Sequence, residues 1–229
     1  MTSTGTYAFS PAASNLTLVA FGRVGIRRTE ITAQHLADAD VEANLIQVKI
    51  SNLQPNLWKS ELYTQVLTAG TATYALPARM IAIQAAYISI DSNGVTYDRI
   101  IWPYSVFEYA SLPNKEQEGP STAYWYDRQI IPQITFWPVP DAEATYTLKL
   151  RIIAQPQDVS QVSGLTLDMP YRWLDVYVAD LAYRMSRIYA RDLEGQRKAD
   201  AAEAWANAAT EDQERVPLML NCNVNSYYG

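Results

Sequence analysis

The chain carries one histidine, His35, and one cysteine, Cys222. A thiol beside an imidazole is a minimal nucleophile and base for covalent catalysis. These two lie far apart, His35 in a stretch with helical spacing and Cys222 in an aperiodic tail. Structural roles are therefore expected: a helix-surface position for His35 and small-residue packing for Cys222. A Cys/His zinc site would lack ligands, and no disulfide can form within the chain.

Carboxylates are the next candidates. Asp38, Asp40 and Glu42 are spaced by two, so on a helix they fan out and do not converge. Asp141 and Glu143 follow Pro140 in a turn-like segment. Both groups read as solvated surface charge. A pair of acids for glycoside hydrolysis drawn from distant positions stays open at this level. Tyr124-Trp125-Tyr126 would place Tyr124 and Tyr126 on one strand face and Trp125 on the other. Such aromatics can line a platform for a sugar or a base, but a core and interface role is the expectation. The sequence has no G-x-S-x-G elbow, P-loop or G-x-G-x-x-G. No catalytic, cofactor-binding or metal-ligating residue is expected, and no enzymatic activity.

The elements that would carry these residues follow from composition and period. Of 229 residues, 48% are hydrophobic and 18% charged, which suits a packed core. Tyr occurs 16 times and Trp 6 times against 4 Phe, a balance found in β-rich domains and at partner surfaces. The net charge of -6 disfavours tight binding of duplex DNA. The first residues lack the basic start and apolar run of a signal peptide. No stretch approaches the roughly 20 apolar residues of a membrane span, so a soluble protein made in the cytosol is expected.

Ser10-Pro11 reads as a helix start, with Ala13, Leu16, Val19 and Ala20 at helical spacing and Gly22 and Gly25 at the end. A second helix is predicted from about Thr32. Leu36, Ala39, Ala43, Ile46, Ile50 and Leu53 form one apolar stripe, and Val41, Leu45 and Val48 a second. A helix apolar on two faces needs two partners. From about residue 60 the period becomes two. Six or seven antiparallel strands are predicted, with a hairpin at Ser92-Asn93-Gly94 and a short helix opened by Pro103. Past Asp168-Met169-Pro170 the helical period returns in Leu174, Tyr177, Val178, Leu181, Met185 and Ile188. Asp192 reads as the cap of a last helix, with Ala202, Trp205, Ala206 and Ala209 as its packing face.

The predicted fold class is α+β, a helical bundle of N- and C-terminal helices with an inserted antiparallel β module, either a small sandwich or a barrel. The expected divisions are 1–58 (arm and helices), 59–160 (β module), 161–215 (helical hairpin) and 216–229 (extended tail).

An ordered set of short motifs runs through the middle of the chain. Tyr74-Ala75-Leu76-Pro77 precedes an apolar strand. Gly119-Pro120, Tyr124-Trp125 with Asp127, and Phe136 with Pro138 and Pro140 follow, then Tyr146 with Leu148 and a helix opened by proline. Residues 18–25 (LVAFGRVG) and Asn56-Leu57-Trp58 fit the same order. Over about residues 14–213 the chain resembles the head-to-tail adaptors of short-tailed bacteriophages, also called tail tubular or tail accessory proteins. Extra residues before the first helix and the tail after Val216 fall outside it.

The resemblance implies a structural protein of the virion neck, present in the host cytoplasm during assembly, without catalytic duty or cofactor. It implies a dodecameric ring below the portal that meets a tail nozzle or tail tube protein, passes double-stranded DNA without gripping it, and touches no membrane. Portal contact would fall to Leu218, Met219, Leu220, Tyr227 and Tyr228 of the tail. Tail-facing loops would hold Asn93, Gly94, Lys115, Glu116 and Glu118. Subunit contact would use Val41, Leu45, Val48 and Trp205. The competing reading is a carbohydrate- or receptor-binding tail module, suggested by Tyr and Trp on a β scaffold.

Overall fold

The computed structural model describes residues 5–53, 57–92, 94–161 and 164–211. Among these residues, five α-helices and eight strands form an α+β fold. Helices α1 (Ala13–Arg23) and α2 (Ala33–Leu53) precede the β module, and α4 (Leu174–Tyr189) and α5 (Glu194–Glu211) follow it. The short α3 (Val106–Ser111) lies within the module.

The bundle closes around α4, which buries residues on almost its whole circumference, from Leu174 and Tyr177 to Leu181 and Met185. Phe21 of α1, Ile46 and Ile50 of α2 and Trp173 before α4 meet there, all fully buried. The predicted stripes hold in the middle and fail at the ends. Ala39, Ala43, Ile46 and Ile50 are buried, whereas Leu36, Leu53, Val19 and Ile188 are exposed. Each helix outruns the partner it packs on, so its terminal turns keep the period without the cover. On α5 the packing face is Ala201, Ala204, Trp205 and Ala208, one residue off the predicted one; Ala202 and Ala206 are exposed.

Helix ends required further corrections. α1 starts at Ala13, not after Ser10-Pro11, and Ala12 at its N-cap has no side-chain bond. The free Ala13 N–H donates instead to the Leu165 carbonyl at 2.8 Å, a partner no local motif discloses. At the other end Gly25 takes φ 88°, with Gly25 N–H donating to the Gly22 carbonyl and Ile26 N–H to that of Phe21. This is a Schellman closure, with Ile26 packed onto the core. α3 is opened by Ser105, not Pro103: the Glu108 N–H donates to Ser105 Oγ, and the Ser105 N–H to Glu108 Oε2. Asp192 lies inside a 3-10 turn (Arg191–Leu193) and does not cap α5, which begins at Glu194.

The β module is a sandwich. One sheet runs β1-β8-β3-β4 and the other β2-β7-β6-β5. The first holds β1 (Ser60–Val66), β3 (Met80–Ser92), β4 (Val95–Ile100) and β8 (Thr145–Ala154), all antiparallel. The second holds β2 (Thr73–Ala75), β5 (Trp102–Tyr104), β6 (Ala123–Asp127) and β7 (Gln133–Trp137). Ile88, Leu148, Leu150 and Ile152 of the first sheet face Tyr124, Ile134 and Phe136 of the second.

Eight strands replace the expected six or seven, and β5 pairs parallel to β6. β5 is three residues long and contains Pro103, so no periodic signal announces it. As an edge strand it tolerates the missing N–H of proline. Among the described residues no helix is long and apolar enough to cross a membrane.

Candidate functional site

α2 presents two apolar faces to different surroundings. One is buried in the bundle. The other, Val41, Leu45 and Val48, stays open, with Val41 62% exposed. It borders a groove of about 490 Å³ between the helix and the root of the sandwich. Ile81 of β3 and Gln155 and Asp158 beyond β8 form the opposite wall. Asn44 holds that wall in place: its side chain donates to the Val159 carbonyl at 3.0 Å and accepts from the Val159 N–H at 2.8 Å.

Buried polar atoms lie beneath the groove without partners among the described residues. Gln47 is only 5% exposed, and neither atom of its amide has a hydrogen-bond partner among the described residues. Ser51 Oγ and Asp40 Oδ1, which also line the groove, are buried without partners. An orphaned buried amide is costly, on the order of 1–3 kcal/mol, and this one lies beneath an open groove. Gln47 was not singled out in the sequence, because a lone glutamine between two apolar stripes carries no signal until the groove exists.

The remaining charges near α2 are tied up in packing. Lys49 Nζ lies 2.7 Å from Asp180 Oδ1, and Arg184 pairs with Glu42 at 2.7 Å and with Asp180 at 3.5 Å. Asp38 accepts from the Tyr189 hydroxyl. Burial and that carboxylate push the Tyr189 phenol up to about 12. Asp38 and Glu42 thus turn to different partners, Tyr189 and Arg184, while Asp40 lines the groove, as the fan of i,i+2 spacing requires. Among the described residues no group of three His, Cys, Asp or Glu side chains could hold a metal ion.

His35 is half-buried and not a plain surface residue. Its ring stands edge-on to Phe21 and Tyr189, with centroids at 5.7 and 4.5 Å. Its Nδ1 accepts from the Thr32 N–H at 3.0 Å, taking the part that glutamate plays in a capping box.

The other candidates fall on separate parts of the surface. Trp205 is half-buried within the chain, edge-on to Trp173 at 5.2 Å, with Lys49 over its face. Gly94 sits exposed at the β3–β4 turn with φ 80°. Lys115, Glu116 and Glu118 share the exposed loop after α3, where Lys115 Nζ donates to the carbonyls of Ala110 and Leu112. Asn93, Cys222 and the five tail residues Leu218, Met219, Leu220, Tyr227 and Tyr228 lie outside the described residues.

Trp125 is no open platform: its ring stacks on Tyr109 of α3 at 5.3 Å and 22°. Tyr124, on the opposite face, is buried in the sandwich. A further apolar edge was missed in the sequence. All six residues of β4 are exposed, and Trp102, Val106 and Phe107 extend the patch, Phe107 being 82% exposed. Their alternation looks like that of a covered strand, and only the sandwich shows that no described residue covers them.

No curated protein matches the chain. The family model described as "SU10 adaptor protein" matches residues 16–219. That span takes in both helical segments and the whole sandwich between them. The chain therefore belongs to the SU10 adaptor protein family.

Proposed function

We propose that the chain is a ring-forming head-to-tail adaptor that joins the portal of a phage head to the tail and completes the DNA channel. It acts by assembly, not by catalysis. The observation that carries this reading is the open face of α2, Val41, Leu45 and Val48, beside the buried face of the same helix. No described residue of the same copy covers it. A closed ring needs a heterologous contact, in which this face meets a different surface of the next copy, and head-to-tail repetition then closes the circle. Membership of an adaptor family supports the same reading.

The ring is a dodecamer matched to the portal, and it sits in the virion neck. The sandwich turns its loops to a tail nozzle or tail tube protein, and the tail after Val216 reaches the portal. The net charge of -6 suits a channel wall that lets double-stranded DNA pass without holding it. These placements rest on analogy with the family.

The test is sedimentation of the purified protein with portal rings of the same phage, each alone as control. Co-sedimentation at about one chain per portal subunit is expected. A protein left at the top of the gradient overturns portal docking.

A further inference from the structure

We propose that the N-terminal arm of one copy, residues 6–10, docks into the α2 groove of the neighbouring copy, placing Tyr7 and Phe9 against Val41, Leu45 and Val48. The inference rests on the ring reading above and deepens it by naming what fills the groove.

No described residue of its own chain covers the arm's aromatics. Tyr7 is 103% exposed and Phe9 74%, and residues 6–10 make no hydrogen bond to any other described residue. Its root is fixed, because Ala12 bridges Thr166 and the Ala13 N–H donates to Leu165. Large aromatics held out on a tethered arm are a signature of docking elsewhere.

Spacing matches the two parts. In an extended arm Tyr7 and Phe9 lie on the same side, about 7 Å apart. On α2, Val41 and Leu45 are one turn apart and Leu45 and Val48 slightly less, so the recesses between them repeat at about 5–6 Å. Both rings can enter the groove from a single extended segment.

The polar complement matches as well. An extended peptide leaves the N–H and C=O of Ala8 unpaired, one donor and one acceptor. The Gln47 amide, with acceptor and donor groups, and the Ser51 hydroxyl lie just beneath the groove lining, where a small shift of the lining side chains on docking would present them to Ala8. The arm carries no charged side chain from Gly5 to Ser10, so it brings no unpaired charge into the groove.

The test uses full-length single-cysteine variants in a Cys222→Ser background. Phe9→Cys and Val48→Cys chains are mixed, assembled on portal rings and oxidised. The expected result is a disulfide-linked pair of chains in the mixture and in neither variant alone. Rings that form without this link overturn the arm exchange and leave the ring reading standing. If the unmodified protein forms no ring on portals, the ring reading falls and the exchange with it. A chain carrying both cysteines that closes on itself shows the groove taking its own arm, which also overturns the exchange. A labelled peptide of residues 5–12, titrated against free full-length protein, reads the groove without a ring. Binding weakened at least about threefold by Gln47→Leu is expected, and an unchanged affinity overturns the role of Gln47.

Discussion

Lys59 Nζ donates to Asp168 Oδ2 at 2.5 Å, joining the two segments of chain that cross between the helical bundle and the sandwich. Lys59 closes the turn that leads into β1, and Asp168 lies on the return path, two residues before the Pro170 that leads into α4. The same carboxylate oxygen accepts the Gln157 N–H at 2.9 Å. Burial raises the Asp168 carboxyl, but the Lys59 and Gln157 bonds outweigh it and leave the group below its usual 3.8.

The Asp168→Asn variant is expected to lose about 1–3 kcal/mol of stability at neutral pH. Because the folded-state value is lowered, this contribution is complete above the unfolded value and disappears as pH falls through the folded one. Melting curves of the two proteins should therefore differ above pH 4 and converge below it. A constant gap down to the most acidic pH tested would remove the ion pair as its cause.

Trp125→Ala should lower the melting temperature by an amount equivalent to about 1–3 kcal/mol, less than a fully buried tryptophan would cost. The ring is half-buried and holds α3 to the sandwich through Tyr109. Near-ultraviolet circular dichroism should lose the signal of the stacked pair. An unchanged melting temperature would mean that the stack adds nothing.

Gln47→Leu should stabilise the free chain by about 1–2 kcal/mol, since a buried amide without partners gives way to an apolar side chain of similar size. Thermal unfolding of the isolated protein reads this directly. A destabilised variant would show that the amide is satisfied in solution.

Val48→Asp should leave the isolated chain's stability within about 0.5 kcal/mol, because the site is exposed. Portal-templated rings should fail, since a carboxylate would be driven into an apolar contact. Sedimentation distinguishes the two effects. Normal rings from this variant would exclude the open face of α2 as the subunit contact.

Removal of residues 216–229 should leave the melting temperature unchanged and abolish co-sedimentation with portals. Retained binding would transfer portal recognition from Leu218, Met219, Leu220, Tyr227 and Tyr228 to the body of the protein.

Strong periodicity made most of the fold legible. α2 could be read because Ala39, Ala43, Ile46 and Ile50 repeat over several turns, and β8 because alternation sorts core from surface over most of its length. The hairpin at 92–95 was marked by its glycine. Where a helix starts was less legible. α1 is closed by a carbonyl more than 150 residues away in sequence, and β5 exists only because β6 lies beside it. The site was half legible. The second stripe of α2 showed in the sequence, whereas the groove wall from Ile81, Gln155 and Asp158 did not.

The sequence by itself determined the helix–β–helix order, the absence of a nucleophile elbow, P-loop and dinucleotide fingerprint, and the two-faced character of α2, because each depends on spacing along the chain; that the β module is a sandwich and not a barrel came from the structure. Tertiary structure alone decided which of those faces is spent inside the chain, that the Gln47 amide lies beneath the other without a partner among the described residues, and that Tyr7 and Phe9 stay exposed. Burial belongs to the surfaces that two distant segments bring together, and no local period encodes which segments will meet.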